Sequence, residues 1–194
     1  MPNIERALPP ETNLEYLFQT PIWHLRNRPL PKGIYEWCLE YRENNSTIKE
    51  EKSNRGGYQS PGREMDPRHP NHEPFPYLEY VKSQLHFLPS FVFSNWWINI
   101  NEKGDYNTCH THPKSDLSVV WYITDNHRKL TFIDPNGHCR TGLTDMFPEL
   151  WLAENWDCAA GDFVIFPAFI PHHVEPHTEN SPRISIAFNL RSDC

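Results

Sequence analysis

The sequence has few glycines, no closely spaced cysteine pair, no long apolar run and no cluster of cationic residues. Eight glycines stand against 19 prolines in 194 residues, which predicts stiff connections between short elements. The five cysteines show no CxxC spacing, which argues against structural zinc or a redox dithiol and favours reduced thiols. No signal-peptide pattern follows Met1, and no segment is apolar enough to cross a bilayer. We therefore expect a cytoplasmic protein with no membrane partner.

The charge balance argues against nucleic acid as a partner. The net charge is -7, and the 18 Lys and Arg residues are scattered rather than gathered into a stripe that could follow a phosphate backbone. Aromatic residues make up 13% of the chain, including seven tryptophans, so bulky rings must supply much of the core. Rings left on the surface would favour a homodimer.

The length of 194 residues fits one domain, with a core at about 14–190. Its second half predicts a sheet that folds back on itself, because five β-prone runs are separated by turns: 91–100, 117–123, 129–133, 162–170 and 183–190. The first half predicts a strand at 14–25 that Pro21 interrupts, and helices at 33–44 and 77–88. The fold class is therefore mainly β, of the α+β type.

Two segments lack a regular pattern. Residues 45–76 are rich in Asn, Ser, Gly and Pro and predict a long loop, which either covers or lines a site or is a surface excursion. Residues 134–158 mix loop signals with a short helical pattern, which indicates an insertion. The Gly56-Gly57 pair is the candidate hinge if the first loop is a lid.

Three histidines form a candidate metal site. His110 and His112 are two residues apart, so in an extended chain both imidazoles point to the same face. His172 follows the predicted strand at 162–170 and could reach the same ion from across a barrel, leaving coordination positions open. Taken alone, the first pair is equally compatible with packing or surface roles, and His173 is a neighbour that could exchange roles with His172.

A candidate anion site lies eleven residues further on. Arg183 and Ser185 alternate with apolar residues in a β-prone run, so they share one face of the strand. A guanidinium and a hydroxyl on that face could hold a carboxylate. Burying such an arginine is costly unless an anion reaches it, which favours a ligand at this position.

The order of these motifs resembles the 2-oxoglutarate- and iron(II)-dependent oxygenase superfamily. More narrowly, SNRGGYQS at 53–60, HTHPKS at 110–115 and FPAFIPHHVEP at 166–176 resemble the putative 2OG-Fe(II) oxygenase family, of the type common in marine bacteria and their phages. The resemblance covers about residues 17–190. It implies a double-stranded β-helix, or jelly roll, with N-terminal helices packed on one side and the metal at its open end.

The resemblance also implies an activity. Its cofactors would be Fe(II) and 2-oxoglutarate, and dioxygen would be consumed to hydroxylate an unidentified small molecule or peptide with release of succinate and carbon dioxide. His110 and His172 would be metal ligands, and Arg183 with Ser185 would bind the far carboxylate of 2-oxoglutarate. The weaker candidates for the same cofactor are Ser118, Tyr122, Asn99 and Tyr106.

Position 112 departs from the pattern of the superfamily, which usually has a carboxylate there. Three interpretations follow: His112 is itself the third ligand, Asp116 loops back to supply the carboxylate, or the position is open to water or an anion. The first has the simplest geometry. Two rival functions also remain, namely a cupin-type dioxygenase in which three histidines hold iron without 2-oxoglutarate, and a non-catalytic β-barrel that binds a metal or another ligand.

Overall fold

Two β-sheets make up most of the chain in a computed structural model, which describes residues 20–46, 52–137 and 153–193. Two helices lie within these ranges, α1 at Ile34–Asn44 and α2 at Leu78–Gln84. The strands of the same ranges are β1 Trp23–Leu25, β2 Asn54–Arg55, β3 Tyr58–Gln59, β4 Arg63–Glu64, β5 Phe91–Asn101, β6 Tyr106–His110, β7 Leu117–Tyr122, β8 Asn126–Ile133, β9 Ala153–Cys158, β10 Phe163–Pro167, β11 His172–Val174 and β12 Arg183–Ser192. The five predicted β-runs and both predicted helices are confirmed.

The strands pair antiparallel in a large and a small sheet. The large sheet has the order β1-β10-β7-β12-β5-β3, with β4 also pairing with β5, and the small sheet has the order β2-β6-β11-β8-β9. Each sheet contains a strand that lies between two strands far from it in sequence: β12 lies between β5 and β7, and β11 lies between β6 and β8. This order brings the end of the chain against its middle.

The two helices cover the outer face of the large sheet. The residues of α1 that become buried, Ile34, Cys38 and Tyr41, recur at the helical period and form one apolar face. They join a core with Trp96, Ile98 and Ile100 of β5, all fully buried. A second apolar cluster, which includes Tyr122, Phe132 and Phe166, lies between the two sheets. The large sheet is therefore apolar toward the helices and partly polar toward the small sheet.

Strand β5 shows how the alternation of side chains separates core from site. The side chains at 96, 98 and 100 enter the helix-facing core, whereas Trp97, Asn99 and Asn101 point to the opposite face and line a cavity between the sheets. The same strand pairs with β12 over residues 91–101, the longest strand pair of the large sheet. The side chains of β5 that are buried in the core thus hold in place the side chains of the same strand that line the cavity.

The segment 45–76 is more regular than its composition predicts. Within its described part, β2 pairs with β6 of the small sheet and β3 pairs with β5 of the large sheet. The chain crosses from one sheet to the other at Gly56-Gly57, where a Cβ on Gly57 would lie 2.7 Å from Ile100 O. Gly57 therefore permits a close approach of two backbones, whereas Gly56 has a positive φ of 86° and lies against the Asp105 side chain. The hinge role stays a prediction.

The predicted insertion at 134–158 is shorter than expected at its carboxyl end, because β9 pairs with β8 and belongs to the small sheet. Residues 138–152, including the short helical pattern, lie outside the described residues, as does the part of the first predicted strand before residue 20. The single-domain assignment stays a prediction. In the described ranges, neither helix has the length and apolarity that a bilayer crossing needs.

Candidate metal centre

Three histidines converge where β6 and β11 meet. His110 ends β6 and is paired with His172, the first residue of β11, while His112 lies two residues beyond β6. One ring nitrogen from each lies within 4.8 Å of the others, and His112 Nε2 is 3.2 Å from His172 Nε2. Among the described residues this is the one group of three or more His, Cys, Asp or Glu side chains that could hold a metal ion.

Two of the three rings are oriented by their own backbone. His110 Nδ1 donates to Thr108 O over 2.8 Å, and His172 Nδ1 donates to Ile170 O over 3.0 Å. Since Nδ1 carries the proton in both, each Nε2 retains its lone pair. A hydrogen bond from the other ring nitrogen to a carbonyl is the usual arrangement for a metal-binding imidazole.

Burial keeps these imidazoles neutral. It lowers the pKa of His172 to about 3 and the pKa of His112 to about 4, and repulsion from the neighbouring imidazoles adds to both effects. Burial also lowers the pKa of His110. Near neutral pH all three side chains are therefore unprotonated at one nitrogen, which is the form that binds a divalent metal.

His112 is held between aromatic rings. Its imidazole stacks on Trp97 with centroids 5.5 Å apart and on His172 with centroids 5.1 Å apart. Its backbone N–H donates to Ala168 O over 2.8 Å, which ties the end of β6 to the turn between β10 and β11. Although His112 lies outside a regular strand, its position is defined from both sides.

His173 points away from the cluster, as alternation along β11 predicts. Its Nε2 lies 3.1 Å from Glu175 Oε1, and the side chain is half-buried. The neighbouring residue His172 is instead 3% exposed and faces Phe166, with ring centroids 4.7 Å apart. The two adjacent histidines therefore cannot exchange roles without rotating the strand.

Arg183 begins β12 and lines the same cavity as the histidines. It is 3% exposed, and burial lowers the pKa of its guanidinium. Nη1 donates to Glu175 O over 3.0 Å and lies 3.5 Å from Asn126 Oδ1, whereas Nη2 has no hydrogen-bond partner. No ion pair of Arg183 is found within the described ranges, although the Asp105 carboxylate acts on its charge from beyond contact distance and opposes the effect of burial on its pKa.

Three further predicted residues line this cavity together. Ser185 is paired with Tyr122 on β7 and with Asn99 on β5, so the three side chains are cross-strand neighbours. Asn99 Oδ1 is buried without a hydrogen-bond partner. Burial raises the pKa of the Tyr122 hydroxyl well above its usual value, so it stays protonated and can act as a donor.

The structure places Tyr106 and Ser118 elsewhere. The pairing of β6 with β11 shifts register between His172 and Val174, and this bulge reverses the alternation, so that Asn107 as well as His110 faces the cavity. Tyr106 is 39% exposed on the other side. Ser118 is fully buried, but it is paired with Asn189 at the far end of β12 from Arg183. Neither residue lines the cavity that the three histidines and Arg183 share, and their contact with the cofactor stays a prediction.

Asp116 does not reach the histidines. Its Oδ2 accepts a hydrogen bond from the backbone N–H of Ser192 over 2.7 Å, and its backbone pairs with Leu190 and Ala168. The side chain is exposed at the edge of β7, outside the group of converging histidines. The turn after Pro113 leads the chain into β7 before a carboxylate at 116 could fold back.

Sequence reasoning missed several residues of the cavity wall: Ser53, Trp97, Asn101 and Asn107. Asn101 Nδ2 donates to Asn54 Oδ1, and Asn107 Nδ2 lies 3.3 Å from Ser53 Oγ, so both amides are engaged with the segment around β2. Because side chains two residues apart on a strand share a face, the prediction of Asn99 could have been extended to Trp97 and Asn101 on β5. No local pattern indicates Ser53 or Asn107. Ser53 reaches the cavity because the chain crosses between the two sheets near it, and Asn107 does so because of the bulge in β6.

Comparison with known proteins gives a consistent result. Residues 95–189 match the model of the family described as "Putative 2OG-Fe(II) oxygenase", a range that includes the three histidines and Arg183. No curated protein is significantly similar to the chain in sequence.

Three solved structures are similar in fold. A prolyl-4-hydroxylase from Pseudomonas putida superposes with a TM-score of 0.56 at 14% identity, over 90% of this chain and 94% of that chain. A prolyl hydroxylase from Trichoplax adhaerens, in complex with a fragment of the oxygen degradation domain of hypoxia inducible factor, gives 0.58 at 11% identity, over 89% and 84%. HygX from Streptomyces hygroscopicus, with nickel and 2-oxoglutarate bound, gives 0.58 at 8% identity, over 90% and 83%. The shared fold is the double-stranded β-helix, as expected.

Proposed function

The chain belongs to the family described as "Putative 2OG-Fe(II) oxygenase", and on this premise we propose that it holds iron(II) with His110, His112 and His172 and binds 2-oxoglutarate through Arg183. The observation that supports the proposal is a single cavity lined both by a group of possible metal-binding side chains and by a buried charge without a counter-ion. Three neutral imidazoles converge at one part of its wall, and a buried guanidinium with an unpartnered Nη2 lies at another.

The donor set fits a divalent first-row metal. Imidazole binds iron(II) readily, and non-haem iron oxygenases combine such donors with open coordination positions. The usual pattern has two histidines and one carboxylate, whereas His112 would supply a third neutral donor. A site without a protein carboxylate leaves the full charge of the metal to be balanced by the ligand, which favours a dianion such as 2-oxoglutarate.

Arg183 fits the distal carboxylate of the same cofactor. A buried guanidinium is stabilised by an anion that accepts hydrogen bonds from both Nη atoms, and Nη2 is the atom without a partner. The hydroxyls of Ser185 and Tyr122 line the wall next to it and could add neutral hydrogen bonds. We assign the cofactor to this half of the cavity and leave the wall formed by Ser53, Trp97 and Asn107 for the substrate.

Hydroxylation of an unidentified small molecule or peptide is the reaction we propose. When bound, iron(II) would activate dioxygen and 2-oxoglutarate would supply part of the electrons that reduce it, leaving as succinate and carbon dioxide, while the substrate C–H bond that is oxidised supplies the rest. The chain contributes the neutral imidazoles, the charge of Arg183 and the exclusion of water by two packed sheets. Asn99 Oδ1 is a buried acceptor free to orient a donor group of the cofactor or substrate.

The test is an anaerobic titration of the iron(II) protein with 2-oxoglutarate, followed by the metal-to-ligand charge-transfer band in the visible spectrum. Arg183→Ala should weaken binding of 2-oxoglutarate by about 2 kcal/mol or more, roughly 30-fold, because a buried charge pair loses one partner. Its affinity for iron should be unchanged. The matched control is Arg191→Ala, since Arg191 lies at the exposed end of the same strand and donates to Lys114 O.

Two results would count against the proposal. If Arg183→Ala lost iron and 2-oxoglutarate equally, the arginine would be structural. If the wild-type iron protein gave no charge-transfer band and formed no succinate, the cupin-type dioxygenase or a non-catalytic metal-binding barrel would be the better interpretation. The shared cavity of Arg183 and the three histidines favours the 2-oxoglutarate enzyme over both.

We further propose a reducing, cytoplasmic location and leave a homodimer as a prediction. Cys38, Cys109 and Cys158 are free thiols, and Cys109 is exposed one residue from His110, where oxidation would disturb the site. The exposed large apolar side chains of the described residues include Phe87 and Phe169 but no tryptophan. Gel filtration with light scattering would decide the oligomeric state.

A further inference from the structure

Three asparagines line the cavity that the histidines and Arg183 share: Asn99 and Asn101 on β5 and Asn107 on β6. They are 9%, 2% and 8% exposed, so their carboxamides are buried. Among the described residues that line this cavity there is no carboxylate, and Arg183 is the one side chain with a permanent charge. Buried polar groups normally have hydrogen-bond partners, so a carboxamide that lacks one indicates a position for a ligand.

The carboxamide of Asn101 is engaged by the chain itself. Asn54 Nδ2 donates to Gly57 O over 2.6 Å, and a carbonyl can only accept, so Asn54 Oδ1 faces the other way. This oxygen accepts from Asn101 Nδ2 over 2.9 Å. Asn101 therefore ties β5 to the segment that crosses between the sheets, which is a structural role.

Asn99 has an acceptor that no group of the described chain serves. Its Oδ1 is buried without a hydrogen-bond partner. The proposed cofactor cannot supply the missing donor, because 2-oxoglutarate is a dianion whose oxygens only accept hydrogen bonds. Such an anion matches the unpartnered Nη2 of Arg183, which is a donor, but it does not match Asn99 Oδ1. The donor for Asn99 therefore has to come from a second ligand, which is the substrate.

Asn107 lines the same cavity from the small sheet, whereas Asn99 belongs to the large one. Asn107 Nδ2 lies 3.3 Å from Ser53 Oγ, and this contact uses one of its two hydrogens. The second N–H and the oxygen of Asn107 can serve a ligand. A group that satisfies both asparagines must therefore donate to Asn99 and accept from Asn107.

The charge of the cavity restricts this group further. The two positive charges of iron(II) and the two negative charges of 2-oxoglutarate cancel, so Arg183 leaves the loaded cavity with one positive charge. An ammonium group would be repelled by this charge, since no carboxylate of the described lining offsets it. A carboxylate would place its oxygens against Asn99 Oδ1, and an alcohol has one hydrogen for two carboxamides. A carboxamide is neutral and carries both N–H donors and an acceptor oxygen.

We propose that Asn99 and Asn107 are specificity-determining residues and that the substrate presents a neutral carboxamide to them. Its N–H donates to Asn99 Oδ1, and its oxygen accepts from the N–H of Asn107 that Ser53 does not engage. The inference rests on the proposed function, since it places the substrate beside bound metal and 2-oxoglutarate. A molecule with an ammonium or a carboxylate group at this position is rejected, because that group leaves a buried polar atom unpaired or a charge unmatched.

The test measures the binding of four probes of similar length without turnover: butyramide, butyrate, butylammonium and 1-butanol. The protein is saturated with 2-oxoglutarate and with zinc(II) in place of iron(II), and dissociation constants are taken from ligand-observed NMR. Butyramide should bind about 10-fold or more tightly than each other probe, the effect of one buried polar group left unpaired. With cobalt(II) in place of zinc(II), the relaxation of the butyramide protons should be enhanced, which shows that the probe binds beside the metal.

Asn107→Asp tests the small-sheet side of this pair. The Ser53 hydroxyl can donate to the new carboxylate, so the local contact is kept while the cavity gains a negative charge. The affinity for butylammonium relative to butyramide should rise about 10-fold or more. Asn155→Asp is the matched control, because Asn155 is exposed on β9 and aspartate keeps the Oδ1 that accepts from Thr131 Oγ1. It should leave the ratio of the two affinities unchanged.

Asn99→Leu tests the large-sheet side, because leucine is close in volume but cannot accept a hydrogen bond. It should abolish the preference for butyramide over 1-butanol. Its affinity for zinc(II) should match that of the wild type, which shows that the variant is folded. The proposal is overturned if the four probes bind equally, if none binds beside the metal, or if both variants keep the preference of the wild type.

The charge-transfer band of the iron(II) protein with 2-oxoglutarate distinguishes the two levels of the argument. If the band forms and butyramide is not preferred, the assignment of the substrate class is wrong and the proposed function stands. If the band does not form, the proposed function is itself wrong.

Discussion

At the scale of single residues, burial decides how the three histidines behave. An exposed imidazole takes up a proton below a pKa of about 6.5, whereas desolvation lowers the pKa of His172 to about 3 and that of His112 to about 4. The folded chain therefore presents neutral rings over the physiological range of pH. A metal does not have to displace protons from them in order to bind.

This pKa shift predicts a pH-dependent loss of stability without metal. In the unfolded state His172 binds a proton below pH 6.5, but in the folded state it remains neutral until pH approaches 3, so the unfolded state binds more protons and stability falls as pH falls. His172 alone contributes up to about 1.4 kcal/mol per pH unit in this window. Urea unfolding at pH 7, 6 and 5 gives the free energy of unfolding at each pH. This free energy should fall less steeply with pH in His172→Gln than in the wild type. Equal slopes would mean that the ring is solvated.

At the scale of elements, the alternation of side chains along each strand predicts most of the residues that line the site. The prediction fails at one bulge, in β6. The parity of β12 places Arg183 and Ser185 on one face, and the parity of β5 separates Trp96 from Trp97. In β6 the same rule fails, because the register shift against β11 turns Asn107 inward and Tyr106 outward. Bulges arise from the fit between two strands, so neither strand indicates them by itself.

The crossing between the sheets at Gly56-Gly57 supports a prediction on stability. A Cβ at Gly57 would lie 2.7 Å from Ile100 O and 2.9 Å from Asn101 Nδ2, so Gly57→Ala must push β3 away from β5. We expect it to lower the free energy of unfolding by about 1–3 kcal/mol, the usual cost of overpacking. The matched control is Gly62→Ala in the same segment, where the nearest atom is 4.0 Å away. It should be neutral or stabilise by less than about 1 kcal/mol, because alanine restricts the unfolded chain. Urea denaturation of both variants checks the difference, and equal destabilisation would contradict the close approach.

At the scale of the whole molecule, the site joins two sheets that sequence-distant strands build. The three histidines that could hold a metal ion come from β6, from the turn beyond it and from β11, while Arg183 belongs to β12 of the other sheet. Ligands that bind this arrangement bind the folded state only, so they should stabilise the entire fold.

We therefore predict that iron(II) raises the melting temperature and that 2-oxoglutarate, added after the metal, raises it further. Each ligand at 100 times its dissociation constant adds about 2.7 kcal/mol, which corresponds to roughly 5–10 °C for a chain of this size. Anaerobic scanning fluorimetry should show the increment from 2-oxoglutarate only after metal is added. Arg183→Ala should retain the first increment and lose the second, and His172→Ala should lose both. A shift caused by 2-oxoglutarate alone would indicate a site elsewhere.

The sequence by itself determined the β-rich second half, the helical faces and the spacing of His110, His112, His172 and Arg183. These depend on the periods of strand and helix, which are local properties of the chain. The tertiary structure decided which of the candidates meet. It holds Asp116 at the backbone of Ser192, moves Tyr106 to the surface and turns Asn107 into the cavity. Each of these outcomes depends on strand register between segments far apart in sequence, and register is set by the packing of both partners.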